Sequence, residues 1–265
     1  MGSATREALA SSRAALAALG SSVDLATGES LFTAGRVVGD SSQLRSALAD
    51  SSSPVAARVA LVERVFSPTL TPSAVELLKA AASVRWSSQG DLLAGIEELG
   101  LRATAASAPR NVSIEAELFS FAAAVSSNAG LELALTSKLG RAESKLELVN
   151  ALLDGKVSAH TLAIVRHLVR QPRGRRIGQL LRHAASVVAD QSGTSIATVA
   201  SAGALSPEQL ERLNKSLAVR YGRELTINQI VDPTLVGGVR VQIGDDVIDG
   251  SIATRLKDLR LQLAG

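Results

Sequence analysis

Apolar residues recur every three or four positions through roughly the first 190 residues, with glycine, proline or hydroxyl-bearing residues between the runs. This period is typical of amphipathic α-helices, because it places the apolar side chains on one face. Ser53-Pro54 and Thr71-Pro72 each put a hydroxyl before a proline, which favours a helix start at that point. The other helices predicted in this half cover about residues 5–19, 29–38, 43–49 and 91–106.

The apolar pattern of residues 29–66 recurs 87 positions later, in residues 116–153, without a gap. Eight of these 38 positions are identical, beginning with Leu31-Phe32, which recurs as Leu118-Phe119. Some matches are expected by chance in a chain rich in Ala and Leu. Their order and apolar spacing nevertheless favour a duplicated helical unit over one long bundle.

From about Thr194 the pattern changes from a helical period to one compatible with strands. Residues 195–201 form the first predicted strand. Ser206-Pro207-Glu208-Gln209 combines a cap, a helix-starting proline and a glutamine at the third helical position, so we expect a helix that ends at Gly222. Leu225 and Ile227 belong to a second predicted strand.

Residues 231–251 are the least generic part of the chain. Val239, Val241 and Ile243 alternate with polar residues, which predicts a half-buried strand, and Val247-Ile248 continues the sheet. We expect Asp232 and Pro233 to start a short helical turn that Gly237 ends, and Ser251 to cap a last helix. The residues with expected structural roles are Asp232, Pro233, Gly237, Gly238, Gly244, Asp249, Gly250 and Ser251.

These patterns predict an α+β protein that is mostly α, with an N-terminal helical bundle, duplicated, followed by a small mixed α/β domain. The predicted divisions are 1–90, an added helical unit, 91–190, a second helical bundle, and 191–265, the C-terminal α/β domain.

Composition narrows the classes of protein. The chain has no cysteine, which excludes disulfides and thiolate sites and is compatible with a reducing compartment. Aromatic residues make up only 2%, so the core must consist of Ala, Leu, Val and Ile. Because no apolar run approaches the ~20 residues of a membrane span and no signal segment opens the chain, we expect a soluble protein, or one held at a membrane only through partners.

Net charge is concentrated in the middle of the chain: residues 109–189 carry 11 basic and 6 acidic side chains. The segment 166–182 predicts one alternative function, a helical nucleic-acid or regulatory adaptor, since clustered guanidinium groups neutralise phosphates. The absence of aromatic residues that could stack on bases argues against RNA. Its arginines are Arg166, Arg170, Arg173, Arg175, Arg176 and Arg182.

No constellation of residues predicts catalysis, a cofactor or a metal. His160 and His167 lie seven positions apart, so within one helix they cannot share a metal ion, and no acidic third ligand accompanies them. Phosphate-binding loops, zinc-protease motifs and nucleophile elbows are missing from the sequence. We therefore expect a non-catalytic protein.

The Asp232-Pro233, Gly237-Gly238-Val239, Gly244-Asp245 and Val247–Ser251 elements, followed by Arg255-Leu256, closely resemble the C-terminal signature of the delta subunit of F-type ATP synthases. The mitochondrial counterpart is the oligomycin-sensitivity-conferring protein. A looser likeness of helix pattern extends back to about Asp91. The family's usual pattern has a single bundle of about six helices, to which 91–190 would correspond; the role of 1–90 stays open.

The resemblance implies a stator subunit that joins the catalytic alpha/beta head to the peripheral stalk, on the cytoplasmic face of the bacterial plasma membrane. It implies that the bundle receives N-terminal helices of alpha subunits and that the C-terminal domain receives the end of the b subunits. No nucleic acid and no direct membrane insertion are expected. The contact residues we expect are Leu162, Val165 and Val169 in the bundle, and Val239, Val241 and Arg255 in the C-terminal domain.

Overall fold

The computed structural model describes residues 2–137, 140–222, 225–243 and 246–250. The chain forms two compact units, Met1–Val188 and Ala189–Gly265. The first is helical and the second contains a small mixed sheet, so the predicted α+β class is confirmed. The further division of the first unit near residue 90 stays a prediction.

Amphipathic helices joined by short turns form the first unit. Their bounds are α1 Ser3–Leu19, α2 Leu25–Asp40, α3 Ser42–Ala49, α4 Val55–Phe66, α5 Pro72–Ser83, α6 Gln89–Ala106, α7 Ile114–Ser126, α8 Ala129–Thr136, α9 Ala142–Leu153, α10 Ala159–Arg170 and α11 Ile177–Gln191. Among the described residues no single helix is long and apolar enough to cross a bilayer; only α7 and α8 taken together reach that length and composition, across a bend of 107°.

The helices repeat with the 87-residue period that the sequence predicts. Moving the bounds of α3, α4 and α5 along by 87 gives those of α8, α9 and α10 to the residue. The caps correspond as well: Ser41 and Asn128 each accept from the backbone N–H three residues on, and so do Thr71 and Ser158. The duplication is therefore confirmed, and it extends beyond the segment in which the sequence shows it.

Helix α6 belongs to both repeats. The same shift carries α1 onto α6 within one residue, and carries α6 onto α11 within two. As the sixth helix of one repeat and the first of the next, α6 has neighbours on both sides, including α1, α2 and α10. It is consequently buried nearly all round along its C-terminal two thirds, where even Glu97 and Arg102 are interior.

Close approach of α2 and α6 requires glycine. A Cβ at Gly100 would lie 2.6 Å from two ring carbons of Phe32, and a Cβ at Gly28 would collide with Thr104. Trp86 fits against Gly95 in the same way, and its indole N–H donates to the Ala81 carbonyl at 2.8 Å. Trp86 is therefore a buried packing anchor.

Two helix starts differ from the sequence prediction. Helix α2 begins at Leu25 rather than near residue 29, because the Asp24 carboxylate accepts from the Thr27 N–H at 2.8 Å in a capping box. Ser53 does not cap α4; its hydroxyl donates to Asp50 at 2.7 Å, and Pro54 precedes the helix. Thr71 caps α5 as predicted.

In the second unit, the described residues after Gln191 form one helix and a four-stranded sheet. Ser206 and Gln209 form the predicted capping box at the start of the helix, and Gly222 ends it with a φ of 65°. The side chains of Ala197, Val199 and Val241 are buried between the sheet and the helix residue Leu217. The elements are β1 Ser195–Ser201, α12 Pro207–Tyr221, β2 Leu225–Val231, β3 Val239–Ile243 and β4 Asp246–Asp249.

The order of the strands across the sheet is β2-β1-β3-β4. β2 is parallel to β1, to which α12 connects it, whereas β3 pairs antiparallel with the other side of β1 and β4 pairs antiparallel with β3. The chain between β2 and β3 therefore crosses the end of β1, where the Asp232 N–H donates to the Ser201 carbonyl at 2.9 Å.

The packing of α2 on α6 yields a first prediction. We expect Gly100→Ala to lower the free energy of unfolding by about 1–3 kcal/mol, because the added methyl must displace the Phe32 ring. The matched change Gly90→Ala, in the first turn of the same helix where no such clash exists, should be neutral or stabilising by up to about 1 kcal/mol. Chemical denaturation of both variants measures the difference; equal effects would contradict the packing described.

Candidate functional site

An apolar groove with a volume of about 410 Å³ opens beside α7, α8 and α9. On α7 its wall is a row of small exposed residues one turn apart, Ala116, Ser120 and Ala124. Leu131 of α8 and Leu152 of α9 line it as well. A groove with small side chains on one wall and leucines on the others suits the apolar face of an amphipathic helix.

The groove is held in shape by a hydrogen-bonded link between α7 and α10. The Glu117 carboxylate accepts from the Ser158 backbone N–H at 3.0 and 3.1 Å, and from the Ser158 hydroxyl at 2.7 Å. The same Ser158 Oγ accepts from the Thr161 N–H at the start of α10. Because three interactions converge on one carboxylate, α7 has a fixed position relative to α10.

A buried polar cluster lies near the C-terminal end of α10. Glu97 of α6 and His167 of α10 are joined at 3.1 Å between Oε1 and Nε2, although they are 70 residues apart in the chain. Arg173 and Arg175, in the turn after α10, approach the second Glu97 oxygen at 3.4 and 3.3 Å. The cluster therefore connects the shared helix α6 to the second repeat.

Protonation in this cluster follows from burial and charge. Burial by itself would raise the pKa of Glu97, but the His167 hydrogen bond and the Arg173 and Arg175 charges outweigh it, so this pKa lies below its usual value. Burial is the largest influence on His167 and lowers its pKa, against the opposing effect of Glu97. At neutral pH the cluster thus holds a charged carboxylate and a neutral imidazole.

Phe32 connects the first repeat to this cluster. Its ring stacks on the His167 imidazole with centroids 4.2 Å apart and planes 9° apart. The edge of the Phe32 ring faces the backbone of Gly100, which leaves no room for a side chain there. Phe32 is therefore held between α6 and α10.

The structure places the three contact residues expected on α10 in the interior. Leu162, Val165 and Val169 are 9%, 0% and 2% exposed. A partner would reach them only by displacing the packing of α10. Their role in partner binding stays a prediction, and the exposed groove offers a surface that needs no such rearrangement.

In the C-terminal unit Val239 is half-buried and Val241 is buried in the core beneath the sheet. Their contact with a partner also stays a prediction. Gly244, Ser251 and Arg255, together with the expected last helix, lie outside the described residues.

The family motif consists of turn and cap residues, as expected, but the Asp232 turn is not helical. The Asp232 carboxylate accepts from the Thr234 N–H at 3.0 Å, and the Leu235 N–H donates to the Asp232 carbonyl, which closes a β-turn with Pro233 inside it. Gly237 and Gly238 then adopt φ values of 111° and 78°, which favour glycine.

Two other motif residues secure the end of β4. Asp249 pairs with Arg240 across the β3–β4 ladder at 3.6 Å. The Gly250 N–H donates to the Val239 carbonyl at 2.9 Å, and a Cβ at Gly250 would lie 3.1 Å from that oxygen. The described residues of the motif therefore form a connection between strands.

The arginines of segment 166–182 do not form one basic face. Arg173 and Arg175 are directed to Glu97, whereas Arg166 donates to the Asn150 side chain at 2.8 Å. In the part of the chain that the structure describes, no group of three or more His, Cys, Asp or Glu side chains could hold a metal ion.

Sequence reasoning missed the pairing of Glu97 with His167 and the groove on α7. Nothing local marks Glu97, which sits in a run of ordinary helical residues. The small residues Ala116, Ser120 and Ala124 recur every four positions, a signal that could have located the groove once α7 was assigned as a helix.

The fold defines a class: an α+β protein in which a helical repeat unit, carrying an exposed apolar groove, is followed by a unit with a small mixed sheet. The family model described as ATP synthase delta (OSCP) subunit matches residues 101–263. Since this match covers more than half of the chain, the chain belongs to the ATP synthase delta (OSCP) subunit family.

Individual relatives agree over the whole length. The chain is 58% identical over 265 residues to ATP synthase subunit delta of Leifsonia xyli subsp. xyli, with 100% of each chain covered. It is 40% identical over 242 residues to ATP synthase subunit delta of Kineococcus radiotolerans, covering 90% of this chain and 88% of the relative. The corresponding protein of Nocardia farcinica is 38% identical over 270 residues, with 100% of both covered.

A search of solved structures found a likeness to a chain of the Toxoplasma gondii mitochondrial ATP synthase hexamer. The TM-score is 0.43 and the identity 19%, over 63% of this chain and 95% of that chain. The assignment does not depend on this likeness. By family, the chain is a non-catalytic peripheral-stalk subunit of the membrane-associated ATP synthase; the alternative of a nucleic-acid adaptor receives no support.

The low pKa values of Glu97 and His167 give a second prediction. Since the unfolded chain takes up a proton at His167 that the folded chain excludes, stability is present above the unfolded pKa near 6.5 and is lost as pH falls. One such proton changes the free energy of unfolding by up to about 1.4 kcal/mol per pH unit. Glu97 also makes the free energy of unfolding fall with pH, over a lower pH range, because its pKa in the folded chain is lowered as well.

Denaturation of the wild type and of His167→Gln at pH 7.5 and 5.5 measures this effect. Glutamine retains a donor for Glu97 but cannot titrate, so the variant should lose stability less steeply on acidification. His160→Gln, at the half-exposed start of the same helix, is the control. An unchanged pH dependence in His167→Gln would contradict the assignment of a neutral buried imidazole.

Proposed function

We propose that this chain joins the catalytic head to the peripheral stalk on the cytoplasmic face of the bacterial membrane, with a different partner on each of its two units. The helical unit takes an N-terminal helix of an alpha subunit, and the C-terminal unit takes the end of the b subunits. Two attachment sites on one chain slow dissociation, because a partner held at one site keeps the effective concentration high for rebinding at the other site.

The groove beside α7 is the observation that supports the first attachment. It is apolar, open to solvent, and bordered by Glu117 and Lys156, one charge of each sign. An amphipathic helix can place its apolar face on Ala116, Ser120 and Ala124, while its polar edges meet these two charges. The groove lies within residues 101–263, the part of the chain that matches the family.

Exposed apolar side chains at the margins of the sheet support the second attachment. Ile230 and Val231, at the end of the edge strand β2, are 39% and 51% exposed, and Val247 of the opposite edge strand β4 is 57% exposed. Edge strands and apolar residues beside them are common sites of association with another chain. The b subunits supply such a partner in this proposal.

Substitution in the groove tests the first attachment and is our third prediction. Ala124→Arg should weaken binding of an alpha-subunit N-terminal peptide by roughly tenfold or more, because a long charged side chain fills the space needed by the guest helix. Ala123→Arg makes the same change at an exposed neighbouring position outside the groove lining and should bind normally. Titration of a labelled peptide measures both affinities; equal loss in both variants would refute the groove assignment.

Separation of the two attachments is our fourth prediction. A chain lacking residues 195–265 keeps every helix from α1 to α11 and should still bind the alpha-subunit peptide, but not the b subunits. In the full-length chain, Val247→Lys should weaken capture of the b subunits, whereas Val219→Lys, at an 86% exposed position of α12, should not. Pull-down with purified b subunits reads out each result. Retention of b by the truncated chain would reverse the proposed roles.

A further inference from the structure

A second cavity, also with a volume of about 410 Å³, opens between α2 of the first repeat and α9 and α10 of the second. Three arginines line it, Arg36 from α2 and Arg166 and Arg170 from α10. Its size falls within the range of small-ligand sites, roughly 300–1,000 Å³. The cavity is distinct from the groove beside α7 and has a different chemical character.

The positive charge of this cavity is not neutralised by its lining. Arg36 donates to the Thr33 hydroxyl at 2.7 Å and Arg166 to the Asn150 amide oxygen at 2.8 Å, both neutral acceptors. Among the described residues the Arg170 side chain has no hydrogen bond or ion pair. Glu29 is the one acidic residue in the lining, so three guanidinium groups and one carboxylate leave a formal charge of +2.

The like charge of Arg170 also acts on Arg36. Burial and the nearby Arg170 lower the pKa of Arg36, and Asp40, outside the lining, acts in the opposite direction. By contrast, Arg173 and Arg175 in the following turn have Glu97 as a counter-charge. The cavity arginines therefore lack the carboxylate partner that Arg173 and Arg175 have in Glu97.

His167 adds a buried polar group to the cavity wall. The residue is 2% exposed and its Nε2 faces the Glu97 carboxylate, but its Nδ1 is buried with no hydrogen-bond partner among the described residues. With Glu97 charged, the shared proton resides on Nε2, so Nδ1 is left as an acceptor. Because Nδ1 is enclosed by the protein, the three arginines are the groups that a ligand in the cavity can contact.

We propose that this cavity binds a phosphate dianion, either free inorganic phosphate or the terminal group of a polyphosphate. The charge of hydrogenphosphate balances the +2 of the lining, and its oxygens match the paired donors of guanidinium groups. Because the walls come from both repeats, the ligand stabilises their association; this site exists only in a chain with the duplicated unit.

Thermal unfolding and calorimetric titration of the full-length chain test the proposal, at constant ionic strength and with inorganic phosphate, pyrophosphate, ADP and sulfate compared. We expect phosphate or pyrophosphate to raise Tm saturably, and sulfate, a dianion of similar shape, to compete for the same site. Preference among inorganic phosphate, pyrophosphate and ADP identifies the source of the phosphate group. The proposal does not depend on the partners assigned to the groove or to the C-terminal unit.

Variants locate the binding in the cavity. Arg36→Gln combined with Arg170→Gln should weaken phosphate binding by roughly tenfold or more for each guanidinium group removed. Arg64→Gln, at an exposed position of α4, makes the same change in charge and should bind as the wild type does. Asn150→Asp is a second test with little change in shape: its carboxylate neutralises Arg166 and should also reduce binding.

Three results would overturn the proposal. The first is the absence of a saturable Tm shift with inorganic phosphate, pyrophosphate and ADP alike. The second is phosphate binding that survives in both the double arginine variant and Asn150→Asp. The third is saturable, arginine-dependent binding of a polyglutamate peptide together with no binding of phosphate, since that would assign the cavity to an acidic segment of a protein.

Discussion

The burial of Glu97 is the constraint on which the helical unit depends. A carboxylate without partners inside a protein costs several kcal/mol, yet α6 must be buried on both sides because it serves two repeats. His167, Arg173 and Arg175 meet this requirement from the second repeat. The first repeat contributes Phe32 to this packing. Its ring stacks on His167 and packs against Gly100, one turn beyond Glu97.

The turn between α10 and α11 shows the effect of this constraint on the backbone. Arg173 has a φ of 45°, a region that residues other than glycine rarely adopt, and Gly174 follows with a φ of 74°. The conformation brings the Arg173 and Arg175 side chains to the same Glu97 oxygen. Local strain in the turn is thus offset by the ion pairs that satisfy the buried carboxylate.

What the sequence predicts well here is local. The capping box of Ser206 and Gln209, the left-handed Gly222 and the strand at 195–201 each depend on neighbours a few residues away, and each is confirmed. Glu97 and His167 lie 70 residues apart, and the strand order depends on which side of β1 the chain returns to. Neither leaves a local pattern. The apolar stripe of α10 likewise marks a buried face, but it cannot distinguish core residues from contacts with a partner.

Duplication gave the two repeats different surfaces on one corresponding helix face. Ala116, Ser120 and Ala124 of α7 border the apolar groove, and their counterparts 87 residues earlier are Glu29, Thr33 and Val37 of α2. Glu29 and Thr33 instead line the basic cavity, which α9 and α10 help to enclose. An apolar helix placed on the same face of α2 would meet the charged Glu29. It would also meet α9 and α10 of the second repeat. The proposed binding of a helix in the groove on α7 therefore has no equivalent on this face of the first repeat.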